Sequence, residues 1–355
     1  LKLVFHRAGT SSSLRATAGR AAATGVLVMS AVALHKWFKK LGPYLATLLG
    51  RMVKAAAYSR EKWGGFDVIA GDATTVQRPG SKGTTARVHY ALRLADLTAR
   101  HIDVTDEHGG ETARRFRAES GELWLLDRGY ANPPGVASIV NGNAHIVVRY
   151  NRGTLPVYDA RGNGVDVMSL LRNTHKRERA YQNRAVVHVD EQRIAGRLCW
   201  LRLPEKKAAE ARARAVREAD GKCDAEALVA AEYVVIFTSV LNELTAAQLL
   251  ELYRARWQVE LDFKRSKSIR ELDRLPNFLP ETIHSWICAK LLLQLIAIRI
   301  ATPAVSFPPG GRELRIFPAV TFEPTHPQRR HRRALVRRAP RVGSDVRRTP
   351  AGRAA

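Results

Sequence analysis

The sequence has only three cysteines, Cys199, Cys223 and Cys288, too scattered for a disulfide framework or a CxxC metal knuckle. A reducing cytosol fits that usage. It also lacks an apolar run of the roughly 20 residues a bilayer-spanning helix requires. The longest, "AAATGVLVMSAVAL" (21–34) and "CAKLLLQLIAIRI" (288–300), both fall short. No initiator Met precedes the first run and no clear cleavage pattern follows it, so it does not read as a secretion signal. Acidic residues are in deficit: 33 Asp and Glu face 58 Lys and Arg in 355 residues, a formal charge of +25. Such a surplus points to a polyanionic partner, because lysine and arginine release condensed counterions when they bind phosphates. Nucleic acid is favoured over a membrane. The 45% hydrophobic content suffices for one large or two ordinary domains.

After residue 300 lysine disappears altogether. The last 55 residues hold 12 Arg and three acids, with frequent Pro and no period, so 301–355 reads as a disordered Arg/Pro-rich tail. The missing lysine favours translation out of frame in a GC-rich gene over a selected basic arm. The tail carries +9 and leaves +16 on the rest, so the argument for a polyanion does not depend on it. Residues 1–28, rich in Ala, Ser, Thr and Gly without sustained period, read as a disordered leader, with Met29 as the expected start. Residues 29–62 read as a helical segment: Leu34, Trp37, Phe38, Leu41, Leu45, Leu48, Leu49 and Met52 recur at helical spacing, and "GP" at 42–43 divides the run in two.

From residue 63 to 300 the pattern is α/β. "FDVIAGD" (66–72), "ARVHYALRLADL" (86–97) and "RHIDVTDE" (100–107) predict an antiparallel meander. A brief helical piece at "GETARRF", a strand in "ELWLLDRGY" (122–130), a helix at "PPGVASIV" and a strand in "AHIVVRY" (144–150) follow. Residues 151–231 alternate again and read as a mainly β insertion with one solvated helix, "EKKAAEARARAVREA" (205–219), which lacks an apolar face. "EYVVIFTS" predicts another strand. One long helix is expected from Thr245 to Arg270, and a last apolar helix closes the core. This order resembles the ribonuclease H-like nucleotidyl-transfer core: a mixed sheet flanked by helices, with carboxylates at strand ends and the insertion ahead of the last catalytic helix.

The long helix carries "YRARWQVELDFKRSKS" (253–268). At 100° per residue, Tyr253, Arg256, Glu260 and Lys267 share an arc of about 60°. Leu252, Val259 and Phe263 form an apolar flank, while Glu251, Arg254, Gln258, Asp262 and Arg265 fall on the solvated side. A carboxylate in that arc is a candidate ligand for a hard divalent cation, with the Tyr, Arg and Lys around it suited to holding phosphate. Taken alone, Arg256 and Glu260 at i,i+4 also make an ordinary surface ion pair. Asp72 in "VIAGDATT" and Asp127 in "LWLLDRGY" each end an apolar run, where a carboxylate serves either as a turn residue or as a ligand.

The spacing of Tyr253, Arg256, Glu260 and Lys267, with "RWQVELDFK" around it, resembles the signature of the insertion sequence 4 family of DDE transposases. Asp72, before small hydroxylated residues, and Asp127, in an "LxDxGY" setting, match that family's two upstream aspartates. The resemblance covers most of 30–300. It implies a transposase that binds terminal inverted repeats, cuts at the element ends and joins 3′-hydroxyls to target DNA, at least as a homodimer on double-stranded DNA. It implies two Mg²⁺ ions, with Mn²⁺ as a substitute: Asp72 bridges them, Asp127 and Glu260 complete one each, and Tyr253, Arg256 and Lys267 grip phosphates. It further implies a cytoplasmic, nucleoid-associated protein with no membrane. In relatives that form hairpins the insertion supplies a base-stacking aromatic, for which Trp200 is the candidate, although an inward strand tryptophan is more often core. The two ends depart from the family: no clear helix-turn-helix precedes the core, and the Arg/Pro tail replaces the usual terminus. A non-catalytic DNA-binding remnant is the contrasting reading.

Overall fold

The computed structural model describes residues 1–55, 62–78, 80–81, 83–220, 222–275 and 279–305. Four helices come first: α1 (Lys2–Thr10), α2 (Leu14–Ala23), α3 (Ala31–Lys40) and α4 (Gly42–Lys54). The meander follows as β1 (Asp67–Val76), β2 (Ala86–Arg93) and β3 (Thr98–Asp106), then β4 (Glu122–Leu126), α5 (Pro133–Asn141) and β5 (His145–Arg149). Next come α6 (Val167–Arg172), β6 (Ala180–Val189), β7 (Gln192–Arg202), α7 (Glu205–Glu218), α8 (Ala225–Ala231) and β8 (Tyr233–Thr238). The last helices are α9 (Ala246–Arg254), α10 (Trp257–Arg270) and α11 (Pro280–Val305). All eight strands form one mixed sheet, in the order β3-β2-β1-β4-β5-β8-β7-β6. Only β1, β4 and β5 at its centre run parallel. That is the α/β architecture with ribonuclease H-like order that the sequence predicts.

The insertion departs from expectation in two ways. Its strands do not form a separate sheet, because β8 pairs antiparallel with both β5 and β7 and carries the core sheet outward. It also holds three helices, α6, α7 and α8, where one was predicted. The extension depends on a close approach at Gly196 of β7. A Cβ there would lie 2.4 Å from the Thr238 carbonyl and 2.6 Å from the Phe237 ring. Gly196→Ala is therefore expected to push β7 off β8 and cost about 1–3 kcal/mol. A urea titration reads that loss as a lower midpoint, and an unchanged midpoint rejects the contact.

The leader expectation fails on packing. α2 is capped by Ser13, whose Oγ accepts from the Ala16 amide, and Val4, Ala8, Thr17 and Ala21 are buried. Arg7 spans Phe38 and Trp286, 5.5 and 5.4 Å from the ring centres. Alanine and threonine bury little area each, so this seam is nearly invisible to hydropathy although it allows helices to approach closely. α11 is also longer than the apolar run that announces it, extending to Val305. Over Pro280–Ile300 it is long and apolar enough to cross a membrane, yet 61% of that window is buried inside the fold. Its buried Ser285 donates to the Phe38 carbonyl, and its Gln294 accepts from Ser266, partners that only a protein interior provides. Of the expected tail, everything beyond residue 305 lies outside the described residues.

Candidate active site

Strand register brings the two aspartates together. β1 pairs in parallel with β4, Gly71 opposite Leu126, so the next residues along, Asp72 and Asp127, stand abreast. Side chains in register on adjacent strands share a face. β1 runs on to Val76, so Asp72 sits inside a strand and not at its end as the sequence suggested, opposite Tyr90 of β2. Tyr90 packs on Phe263 of α10, ring centres 5.8 Å apart, which lays α10 across the aspartate face.

The predicted long helix is two helices. α9 starts at a capping box between Thr245 and Gln248 and ends at Arg254. Amides of Ala255, Arg256, Gln258 and Val259 each bond the carbonyl three residues back, a tight i→i−3 turn that leads into α10. Leu252, Val259 and Phe263 are buried as expected. Two residues of the expected solvated side are not solvated: Gln258 is buried, and Asp262 accepts a hydrogen bond from Gln294 of α11 at 3.2 Å. A helical wheel has no means of showing that α11 covers that side.

Arg256 is the hub. Its Nη2 donates to Glu260 Oε1 at 2.6 Å and lies 3.8 Å from Asp127 Oδ2, while Nη1 is 3.4 Å from Asp72 Oδ2. The Tyr253 hydroxyl donates to Asp127 Oδ1 at 3.3 Å, and the guanidinium carbon sits 5.9 Å from the Tyr253 ring centre. Lys267 stands further along α10 and donates to the Thr75 carbonyl of β1 at 3.0 Å. Five of the six predicted site residues thus gather around one guanidinium, and the sixth anchors nearby.

The electrostatics follow from burial. The Asp72 side chain is only 17% exposed, and burial lifts its pKa to about 6, against the opposing pull of Arg256 and the Ala73 amide at 2.8 Å. Asp127 and Glu260 push it up further. Burial also raises the Tyr253 hydroxyl, and the nearby Asp127 adds to the effect. Burial works against the charge on Arg256, but Tyr253 and then Asp127, Asp72 and Glu260 outweigh it and hold the group firmly protonated.

Among the described residues, no three Asp, Glu, His or Cys groups are gathered closely enough to ligate one ion as they stand. The donor chemistry nonetheless suits a hard divalent cation. Three carboxylates converge on a single positive group, so the guanidinium holds the place where positive charge is demanded.

Two aromatics alter the sequence reading. Trp200 is interior: it stacks on Tyr181 at 6.0 Å, its Nε1 donates to Thr174 Oγ1 at 2.8 Å, and it is buried as an inward strand tryptophan ordinarily is. The other is Tyr130 of "DRGY", to which the sequence gives no role. It is fully buried beside Asp72, Glu111 and Arg87, and its hydroxyl has no hydrogen-bond partner among the described residues. A tyrosine three residues after an aspartate is the only sequence signal it gave.

Comparison with known proteins agrees with this geometry. The transposase DDE domain family matches residues 63–295. The transposase for insertion sequence element IS421 of Escherichia coli is 30% identical over 311 residues, 85% of this chain and 84% of that protein. The protein InsL of insertion sequence element IS186A, from Escherichia coli strain K12, is 29% identical over 307 residues, 84% of this chain and 83% of its own length. With the domain family matching well over half of this chain and the relatives aligned over more than four fifths of it, this chain belongs to the DDE transposase family.

Proposed function

We propose that this chain cleaves DNA at the terminal inverted repeats of an insertion sequence and joins the freed 3′-hydroxyls to target DNA, with Asp72, Asp127 and Glu260 as its catalytic carboxylates. The observation that carries the reading is the convergence of those three groups, from β1, the turn after β4 and α10, on Arg256. Cutting and joining phosphodiesters requires activation of a water or hydroxyl and neutralisation of charge on the phosphoryl oxygens. A pair of Mg²⁺ ions held by Asp72, Asp127 and Glu260, or Mn²⁺ in their place, supplies both when bound.

The chain's own groups do the positioning. Tyr253 tethers Asp127, and the Ala73 amide fixes one oxygen of Asp72, so two carboxylates are oriented before any substrate arrives. The guanidinium fork of Arg256 matches a phosphate in the same bidentate way it now serves carboxylates. Lys267, on the same face further along α10, offers a second positive charge to the phosphate backbone. Two element ends must be held together, which calls for a homodimer on DNA.

The testing experiment incubates purified protein with a labelled duplex carrying the element's terminal repeat, in Mg²⁺ and in EDTA. Metal-dependent cleavage at the repeat boundary is expected. Binding without cutting in either condition overturns the reading and leaves a DNA-binding remnant. Lys267→Ala is expected to lower the salt dependence of duplex binding, log K against log [KCl], by about 0.9, the loss of one phosphate contact. An unchanged slope removes Lys267 from the DNA path.

A further inference from the structure

The helix "EKKAAEARARAVREA" has no apolar face, and the cleavage reading leaves it without a task. In the fold it is α7, which walls a cavity of about 400 Å³ beside the catalytic edge. Val167, Met168 and Leu171 of α6 line one side and Ala211 and Ala215 of α7 the other, with Tyr150 at the end of β5. Alanines on α7 leave the space open where larger apolar residues would fill it. Space of this order suits a ligand of roughly nucleotide size and is too confined for a duplex.

The charges are sorted. Around the insertion, Arg152 pairs with Asp224 and Glu226, Arg172 with Glu226, Arg177 with Glu205, Arg202 with Glu232, and Arg212 with Glu232 and Glu205. Those pairs tie α7 to Glu232 ahead of β8, which also holds Arg202 of β7, and tie α8 to α6 and to the turn after β5. Arg128, Arg149 and Arg214 also line the cavity, and none has an acidic partner among the described residues. Among the described residues, Glu218 is the one acid in the lining. Register ties this surplus to the carboxylates. β4 pairs in parallel with β5, Leu126 opposite Val148, so Arg149 stands abreast of Asp127 as Asp127 stands abreast of Asp72. The row Asp72, Asp127, Arg149 runs from the cutting site into the cleft, with Arg128 at the step between.

We propose that this cleft binds a single DNA strand, its phosphates on Arg128, Arg149 and Arg214 and its sugars and bases on the apolar walls and Tyr150. Single strands are held by a positively charged groove with an aromatic on which a base stacks, and Arg128, Arg149, Arg214 and Tyr150 line this one cavity. The inference rests on the chain acting on DNA, but not on its cutting it.

The test is fluorescence anisotropy with a labelled oligothymidylate and a labelled repeat duplex, in EDTA, across a KCl series. For the triple variant R128A/R149A/R214A, the single-strand slope of log K against log [KCl] is expected to fall by about 2, at about 0.7 per lost contact. The duplex slope should change less, and R128K/R149K/R214K should restore the single-strand slope. Ala215→Trp fills the slot without touching charge and should weaken single-strand binding alone. An unchanged single-strand slope, in a variant whose circular dichroism melt matches the parent, overturns the proposal. So does an equal loss for strand and duplex. Protein that binds the strand this way yet never cuts leaves the cleft standing and rejects the cleavage reading; protein that cuts but shows no such slope does the reverse.

Discussion

Asparagine in place of Asp72 is expected to abolish strand cleavage and, in metal-free protein at neutral pH, to raise the melting temperature. The first effect follows from removing a carboxylate that Arg256 and the Ala73 amide orient beside Asp127 and Glu260. Losing such a group costs roughly three orders of magnitude or more in rate. The second follows from burial. The Asp72 pKa rises from 3.8 to about 6 on folding, so the folded state binds its proton more tightly than the unfolded chain does. The ionised form is therefore a stability cost. It is absent below pH 3.8, accumulates as pH rises, and is complete above about 6. The shift corresponds to roughly 3 kcal/mol at most, reduced in the variant by the lost contact with Arg256. A gain of a few degrees is the expected scale for a chain of this size. Thermal melts in EDTA at pH 8 and pH 4, beside a gel cleavage assay, check both halves. Normal cutting by Asp72→Asn, or an equal stability change at the two pH values, would sink the assignment.

The sequence made the chemistry more legible than the geometry. Tyr253, Arg256, Glu260 and Lys267 were readable because fixed spacing on a helix is a local property. What brings Asp72 beside Asp127 is the pairing of Gly71 with Leu126, 55 residues apart, and no local pattern encodes that register. The break at Ala255 and Arg256 was hidden for a different reason. Both residues keep right-handed helical dihedrals, so neither needs a glycine or proline, and only the hydrogen-bond partner shifts. α1 and α2, unlike α3 and α4, are hard to see in the sequence because Ala8, Thr17, Ala18 and Ala21 make up most of what they bury. The insertion was legible as strands but not as part of the main sheet, since alternation reports a half-buried strand without naming its neighbour. α7 is the solvated helix its sequence predicts, with Ala208 its one buried residue, but its ties to the rest of the fold, such as Arg212 with Glu232, lie too far apart in sequence to be read there.

Removing the guanidinium should be the most damaging single change to the metal-free protein. Arg256 is 9% exposed and lies within 4 Å of all three carboxylates, so Arg256→Ala leaves Asp72, Asp127 and Glu260 facing one another without a counter-charge. Stripping one partner from a buried charge cluster costs about 3–5 kcal/mol. Asp127 and Glu260 are 42% and 43% exposed, and water screening places the expected loss at the lower end of that range. Two conditions should return part of it. At pH 4 the raised pKa keeps Asp72 largely protonated, so the gap between variant and parent should narrow. A divalent cation should also help, because whatever binds the folded state alone stabilises it by mass action. The sensitivity to cation is the decisive quantity. If the three acids bind a cation, that cation must displace Arg256 in the parent, whereas in the variant the place is vacated. The melting temperature of Arg256→Ala should therefore climb more steeply with Mg²⁺ than that of the parent. Arg256→Lys, which keeps one charge but loses the fork, should fall between them. Parallel Mg²⁺ responses in all three proteins would mean that the carboxylates do not share a cation site with Arg256. A steeper response in the alanine variant would identify the arginine as the group that holds the three acids together until a cation takes its place and a phosphate takes its charge.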